Sequence, residues 1–127
     1  MTTEVSSAIE ELKIAFPNAQ VSAETEPQGG AYITVSGLEI GSSYSPSTTW
    51  IGFLIGFQYP RADVYPHFMD AVVKRVDGQA HGVSFQLNQK WRDKNAIQIS
   101  RRSNQLDPTV DTAATKLAKV LEWVRTR

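Results

Sequence analysis

Apolar residues recur every three or four positions at both ends of the chain and every second position between them. From Thr3 to Phe16, the residues Val5, Ala8, Ile9, Leu12, Ala15 and Phe16 fall on one side of a helical spiral, which predicts an N-terminal helix. Thr2 or Thr3 can cap its start, and Pro17-Asn18 ends it. At the other end Val110, Ala113, Ala114, Leu117, Val120, Leu121 and Val124 share a face. Asp107 is the expected N-cap there, Pro108 the first helical residue, and Arg125 and Arg127 suit the negative end of the helix dipole.

Between the helices the period shortens to two. Gln20 to Thr25, Ala31 to Glu39 and Thr48 to Phe57 read as strands, separated by Pro27-Gln28-Gly29-Gly30 and by Gly41-Ser42-Ser43 with Ser45-Pro46-Ser47. Such short connections imply an antiparallel meander. Ala31, Ile33 and Val35 alternate with Tyr32, Thr34 and Ser36, so one face should be covered, by the two helices, and the other wetter. Beyond Phe57 the pattern breaks: Pro60 and Pro66 forbid a central strand between them. Shorter strands are expected at Met69 to Val76, Val83 to Leu87 and Ala96 to Ser100, with a turn at Asp77-Gly78. The expected fold class is α+β, an antiparallel meander of about four strands packed against N- and C-terminal helices.

Composition narrows the picture. The chain has 127 residues, 41% of them hydrophobic, a size at which a single domain can bury a real core. Its longest apolar run, Trp50 to Phe57, is far short of the roughly 20 residues that span a bilayer, and Met1-Thr2-Thr3-Glu4 lacks a basic, apolar leader, so a cytoplasmic protein without a membrane role is expected. Thirteen basic and thirteen acidic residues balance in total, which argues against a dedicated nucleic-acid binder. They do not balance along the chain. Residues 1–73 hold two basic and eight acidic residues, and residues 74–127 hold eleven basic and five acidic, so the second part is the one to meet an acidic partner, if it is more than solvated surface.

The run Trp50-Ile51-Gly52-Phe53-Leu54-Ile55-Gly56-Phe57-Gln58-Tyr59-Pro60, followed by Val64-Tyr65-Pro66, resembles the strand and Tyr-Pro signature of the ubiquitin-conjugating (E2) fold and its RWD-like relatives. The order of elements is similar too: helix, meander, proline elbow, an irregular segment containing Trp91, closing helix. Trp91 through Asn104 and Asp107-Pro108 looks like the tail of divergent bacterial E2-like proteins. That resemblance implies a UBC/RWD-like fold over residues 1–127. It also implies a place in a bacterial ubiquitin-like conjugation or antiphage (antiviral defence) system, with a ubiquitin-like protein, an E1-like enzyme or a partner E2 as the protein partner.

The chain departs from that family where the chemistry resides. It has no Cys, and its only His beyond the elbow is in Ala80-His81-Gly82, where the family carries His-Pro-Asn before a catalytic Cys. A thioester carrier needs a thiolate as nucleophile and leaving group, and a serine alkoxide does not exchange that way at neutral pH. No catalytic residue is therefore assigned. Two readings stay open beside a non-catalytic E2-like binder: a conjugating enzyme whose Cys has been replaced at Ala80, Ser84, Ser100 or Ser103, and a small secretion-type chaperone or adaptor, which would be a homodimer.

The remaining chemistry is sparse. His67 and His81 with scattered Asp63, Asp70 and Asp77 form no metal motif, no phosphate loop occurs, and no cofactor is expected. Ser84 or Ser100 with His81 and Asp77 lacks a nucleophile elbow. His67 is expected to hydrogen-bond to backbone in the elbow, and His81 to sit in a Gly-flanked turn. The candidate partner-binding residues are Lys90, Trp91, Arg92, Arg101, Arg102 and His81, because Arg forks read carboxylates and Trp anchors interfaces. Trp91 has a second reading, as a plug under the last helix. Tyr59, Pro60, Tyr65 and Pro66 are assigned to a fold-making elbow, with Pro setting φ and the tyrosine rings packed beneath.

Overall fold

The computed structural model describes residues 1–127. Helix α1 spans Thr3–Ala15, and the Val5 amide donates to the Thr2 hydroxyl at 3.1 Å, so Thr2 is its cap. Helix α2 spans Ala113–Arg125. Its start differs from expectation. Asp107 instead closes a separate turn, its carbonyl accepting from Val110 and Asp111 and its carboxylate from the Thr109 amide and hydroxyl. Thr112 caps the helix, because Thr112 and Thr115 exchange bonds reciprocally, the Thr115 amide reaching the Thr112 hydroxyl at 3.1 Å and the Thr112 amide the Thr115 hydroxyl at 2.9 Å. Two otherwise unpaired donors are satisfied that way, and Val110 is left exposed.

Eight strands follow the sequence between the helices: β1 (Gln20–Thr25), β2 (Ala31–Glu39), β3 (Tyr44–Ser45), β4 (Thr48–Ile55), β5 (His67–Asp70), β6 (Lys74–Arg75), β7 (Phe85–Trp91) and β8 (Lys94–Ile99). The fold is α+β, with a six-stranded antiparallel sheet in the order β1-β2-β4-β5-β8-β7 and a small β3-β6 ribbon beside it. The sheet has six strands and not the expected four or so, because Phe85–Trp91 and Lys94–Ile99 form a hairpin whose second strand pairs with β5. Trp91 thus ends a strand; it does not lie in an irregular segment.

Met69 to Val76 is not one strand. The Asp70 carboxylate accepts from the Val72 amide and its carbonyl from Val73, a turn that detaches Lys74–Arg75 to pair with Tyr44–Ser45. Both helices lie on one face of the sheet, where Ile33 and Val35, Ile51, Phe53 and Ile55, Met69, Ile97 and Ile99 join Val5, Leu12, Leu117 and Leu121 in one continuous apolar cluster. No helix is long and apolar enough to cross a membrane.

The elbow between β4 and β5 carries cis bonds at Tyr59-Pro60 and Tyr65-Pro66. Tyr59 is buried, and its hydroxyl accepts the first amide of α2, from Ala113, at 3.0 Å, so the elbow helps cap the start of the closing helix. The two tyrosines part company here. Tyr65 is half-buried and faces away from α2, under a guanidinium described below.

Candidate functional site

Strand alternation assigns the second face of the sheet to Tyr32 and Thr34 on β2, Trp50, Gly52 and Leu54 on β4 and Phe68 on β5. No helix covers it. The tip of the β7-β8 hairpin bends over it instead, helped by a register shift between Gln86 and Gln89 that places Asn88 at φ +61°. Trp91, at that tip, enters a socket made by a missing side chain: a Cβ on Gly52 would overlap the indole ring. The indole N–H donates to the Thr34 hydroxyl at 3.2 Å, the ring stacks on Phe68 at 5.2 Å, and it meets the Tyr32 ring edge-on at 6.0 Å. Trp91 is therefore a plug, as one reading held, but on the face opposite the last helix. The reason is Gly52, the only position in the bulky β4 run that leaves room for an indole on that face.

Gly52→Ala should dislodge Trp91 without touching the helical layer. Overpacking at such a contact costs roughly 1 to 3 kcal/mol. The expected result is a lower melting temperature together with a red-shifted, more quenchable tryptophan fluorescence; an unshifted spectrum would refute the socket.

Beside the plug lies a hollow of ≈ 280 Å³, with Tyr32, Leu54, Phe57, Ala62 and Tyr65 as its apolar lining and Glu26 and Asp63 as its acidic residues, the latter already paired with Lys116. Leu54 is 39% and Phe57 46% exposed, the largest apolar groups this region presents to solvent. Two guanidiniums flank it. Arg92 lies over the Tyr32 ring at 3.7 Å and Arg102 over the Tyr65 ring at 4.1 Å. Of the two, only Arg92 forms an ion pair, with Glu24 at 3.6 Å, and a guanidinium over a ring keeps its N–H groups available to an acceptor. On the far side of the hairpin tip the Lys94 ammonium sits over Trp50 at 5.1 Å. Aromatic anchors, exposed aliphatic groups and oriented arginines are the combination from which protein interfaces draw most of their binding energy.

The elbow side of this hollow is fastened to α2 by a buried polar latch. The Lys116 ammonium donates to both Asp63 carboxylate oxygens, at 3.0 and 3.1 Å, and to the Ser103 hydroxyl at 2.8 Å. Ser103 in turn donates its amide to Asp63 at 2.7 Å and its hydroxyl at 2.8 Å. Burial pushes the Asp63 carboxyl up, but the Ser103 amide, the Ser103 hydroxyl and Lys116 together hold it below the ordinary carboxylate range. All three ammonium protons are spoken for, and the Ser103 proton points at a carboxylate. The group ties segments together; it does not activate Ser103 as a nucleophile.

The residues singled out from the sequence fall in several places. Trp91, Arg92 and Arg102 meet around the hollow and its plug. Lys90 is exposed on the hairpin but alternates to the other side from Trp91. Arg101 turns the opposite way from Arg102 and lies over Trp123 of α2 at 4.7 Å. His81 is remote from all of these, between Tyr44 and Phe85, with Nε2 3.0 Å from the Val73 carbonyl. No triad assembles, because Asp77 is engaged by the Arg75 guanidinium and the Gln79 amide, and no serine reaches His81. His67 departs from expectation most sharply: it is fully buried and neither ring nitrogen has any hydrogen-bond partner. Its position on β5 points it into the helical core against Phe53, away from the backbone groups of the elbow.

Sequence reasoning missed Leu54, Phe57 and Tyr32 as a surface, and missed the Asp63-Ser103-Lys116 latch. The signal for Leu54 was present, since it and its buried neighbour Phe53 point to opposite faces of β4 and cannot both be core. A scan against family models finds no match, and neither a search of curated proteins nor one of solved structures returns a similar chain.

Proposed function

We propose that this chain is a non-catalytic binding domain that recognises a folded protein partner through the hollow of Tyr32, Leu54, Phe57 and Tyr65. Arg92 and Arg102 read carboxylates at its two flanks. The observation that carries this reading is the pair of arginines stacked on the two tyrosines that frame exposed Leu54 and Phe57. An apolar centre with oriented cations at the rim fits a partner presenting an aliphatic side chain ringed by Asp or Glu. Charge steers and orients such a complex, while the desolvated centre supplies most of the affinity.

The partner class follows from the resemblance of Trp50 to Pro66 to the E2 and RWD-like signature: a ubiquitin-like protein, an E1-like enzyme or a second E2, in a bacterial conjugation or antiphage setting. Support comes from an N-terminal helix, an antiparallel sheet whose strands β4 and β5 are joined by the Tyr-Pro elbow, and a closing helix, and from a sequence without any thiol, which suits recognition and not acyl transfer.

The test uses a bacterial ubiquitin-like protein and an E1-like enzyme as probes, with binding measured by calorimetry. Arg92→Glu combined with Arg102→Glu, and separately Leu54→Ser, should each weaken binding at least tenfold while leaving the melting temperature within a few degrees, since all three side chains are exposed. Undiminished binding would overturn the assignment of the surface. A covalent adduct of the ubiquitin-like protein on this chain, cleaved by hydroxylamine, would overturn the non-catalytic reading. A stable homodimer closed over Leu54 and Phe57 would replace it with the adaptor reading.

A further inference from the structure

On the other side of the latch, the segment from Arg101 to Asn104 and helix α2 diverge and leave a second opening. It encloses ≈ 190 Å³, with Val120 and Trp123 as its apolar residues, Arg101, Asn104 and Lys119 around them, and Arg102 at the outer rim. The volume decides what class of ligand is in question. Sites for nucleotides and coenzymes run to about 300 Å³ and above, so this opening takes a side chain or the end of a peptide.

Its charge decides the sign. Lys116 and Asp63 neutralise each other at the base, and every proton of that ammonium is already donated. What remains is Arg101, Arg102 and Lys119 against one carboxylate, Asp111, which lies 3.6 Å from Lys119. The Arg101 guanidinium lies over the Trp123 ring at 4.7 Å, as that of Arg127 does at 4.9 Å, and Arg101 donates no hydrogen bond to any group of the protein, and neither does Asn104. A guanidinium resting over a ring with no hydrogen-bond partner of its own is free to take a planar, two-oxygen acceptor, since Arg and carboxylate pair through two parallel N–H···O bonds. The indole and Val120 beside it favour an aliphatic stem leading to that acceptor.

We infer that this cleft between the 101–104 segment and α2 is a second, separate binding site, which receives a carboxylate on an acidic peptide segment of a protein partner, with Arg101 as the fork, Lys119 as the second cation and Trp123 as the platform. Its lining shares no residue with the hollow of Leu54 and Phe57, and although Arg102 borders both, Arg101, Lys119 and Trp123 belong to this cleft alone, so it stands whether or not that hollow binds. The chain could then hold two partners at once, or one partner and its extended tail.

The experiment records the tryptophan indole N–H resonances of the full chain by NMR, with the Trp123 signal assigned from Trp123→Phe. Four probes are titrated at low salt: a capped hexapeptide of alternating Leu and Glu, its Leu-Gln counterpart, an uncapped Leu-Gln peptide with a free C-terminal carboxylate, and inorganic phosphate. The Leu-Glu peptide should shift the Trp123 signal and leave that of Trp91 in place; a matching response to the uncapped peptide would identify a chain terminus as an equally good source of the carboxylate. Arg101→Glu should weaken the interaction at least tenfold. Lys119→Glu, at a side chain 71% exposed and so harmless to folding, should weaken it several-fold. No shift, an equal shift with the capped Leu-Gln peptide, or a shift that survives both charge reversals would overturn the site. Phosphate binding as tightly as the peptide would overturn the assignment to a peptide.

Discussion

Asp63→Ala is expected to lower the unfolding free energy by about 3 kcal/mol, the lower end of the range for removing one member of a buried ion pair, because Asp63 keeps some contact with water. The effect comes from what is left behind. Lys116 has a side chain only 8% exposed, and without Asp63 its ammonium keeps one acceptor, Ser103, in place of three. The Ser103 amide and hydroxyl lose their acceptors at the same time, so the 101–104 segment comes loose from the elbow. Set against a total stability of roughly 5 to 15 kcal/mol for a domain, this is a large fraction. A double variant, Asp63→Ala with Lys116→Met, should recover part of the loss, since the unpaired charge is gone and the methionine fills the stem's volume. Urea denaturation of the two variants tests this. If the double variant is the less stable by the sum of both single effects, the pair acts through its attraction and not through the burial cost.

The second large effect is acid sensitivity, and it originates at His67. Burial holds this imidazole from 6.5 down to about 3; Lys116 pushes it the same way and Asp63 opposes them. In the folded chain the ring is neutral throughout the weakly acidic range, while in the unfolded chain it takes up a proton below 6.5. Fewer protons are bound by the folded state, so stability rises with pH across this window: it is fully present above 6.5 and is lost as pH falls towards 3. At 1.36 kcal/mol per unit the whole window corresponds to roughly 4 to 5 kcal/mol. The chain should therefore melt at a markedly lower temperature at pH 4 than at pH 7. His67→Leu should flatten that dependence and, by replacing two unpartnered ring nitrogens with carbon, hold or raise the melting temperature at pH 7. An acid slope between 6.5 and 4 that is unchanged in His67→Leu would assign it elsewhere. The lowered Asp63 carboxyl acts at more acidic pH, below its ordinary value of 3.8, so above that pH the slope owes nothing to Asp63.

The parts of this fold that were legible from sequence are those whose cause is local. Helix α1 was readable because its apolar spacing, its Thr2 cap and Pro17 all lie within sixteen residues of one another. Strands β1 and β2 were readable because alternation and the Gly29-Gly30 turn agree. Where two local signals compete, reading failed: Asp107-Pro108 looked like a helix start, but the reciprocal Thr112-Thr115 cap five residues on satisfies more donors and wins. The sheet's size was missed for a related reason. β7 is mostly polar and exposed, and it joins the sheet only through β8, which in turn pairs with β5 and buries Ala96, Ile97 and Ile99.

The candidate surfaces divide along the same line. Composition and order alone determined that this chain has a core, two amphipathic helices on a sheet, no thiol chemistry and a basic second part containing Trp91, Arg92, Arg101 and Arg102. Tertiary structure decided what those residues do. It sent Arg101 and Arg102 to opposite sides of the latch, seated Trp91 over Gly52, and brought Asp63 to Lys116 across 53 residues of chain. Backbone preference and periodicity are short-ranged and are written into neighbouring residues, whereas a socket, an ion pair or a stacked guanidinium exists only once distant segments have been packed together.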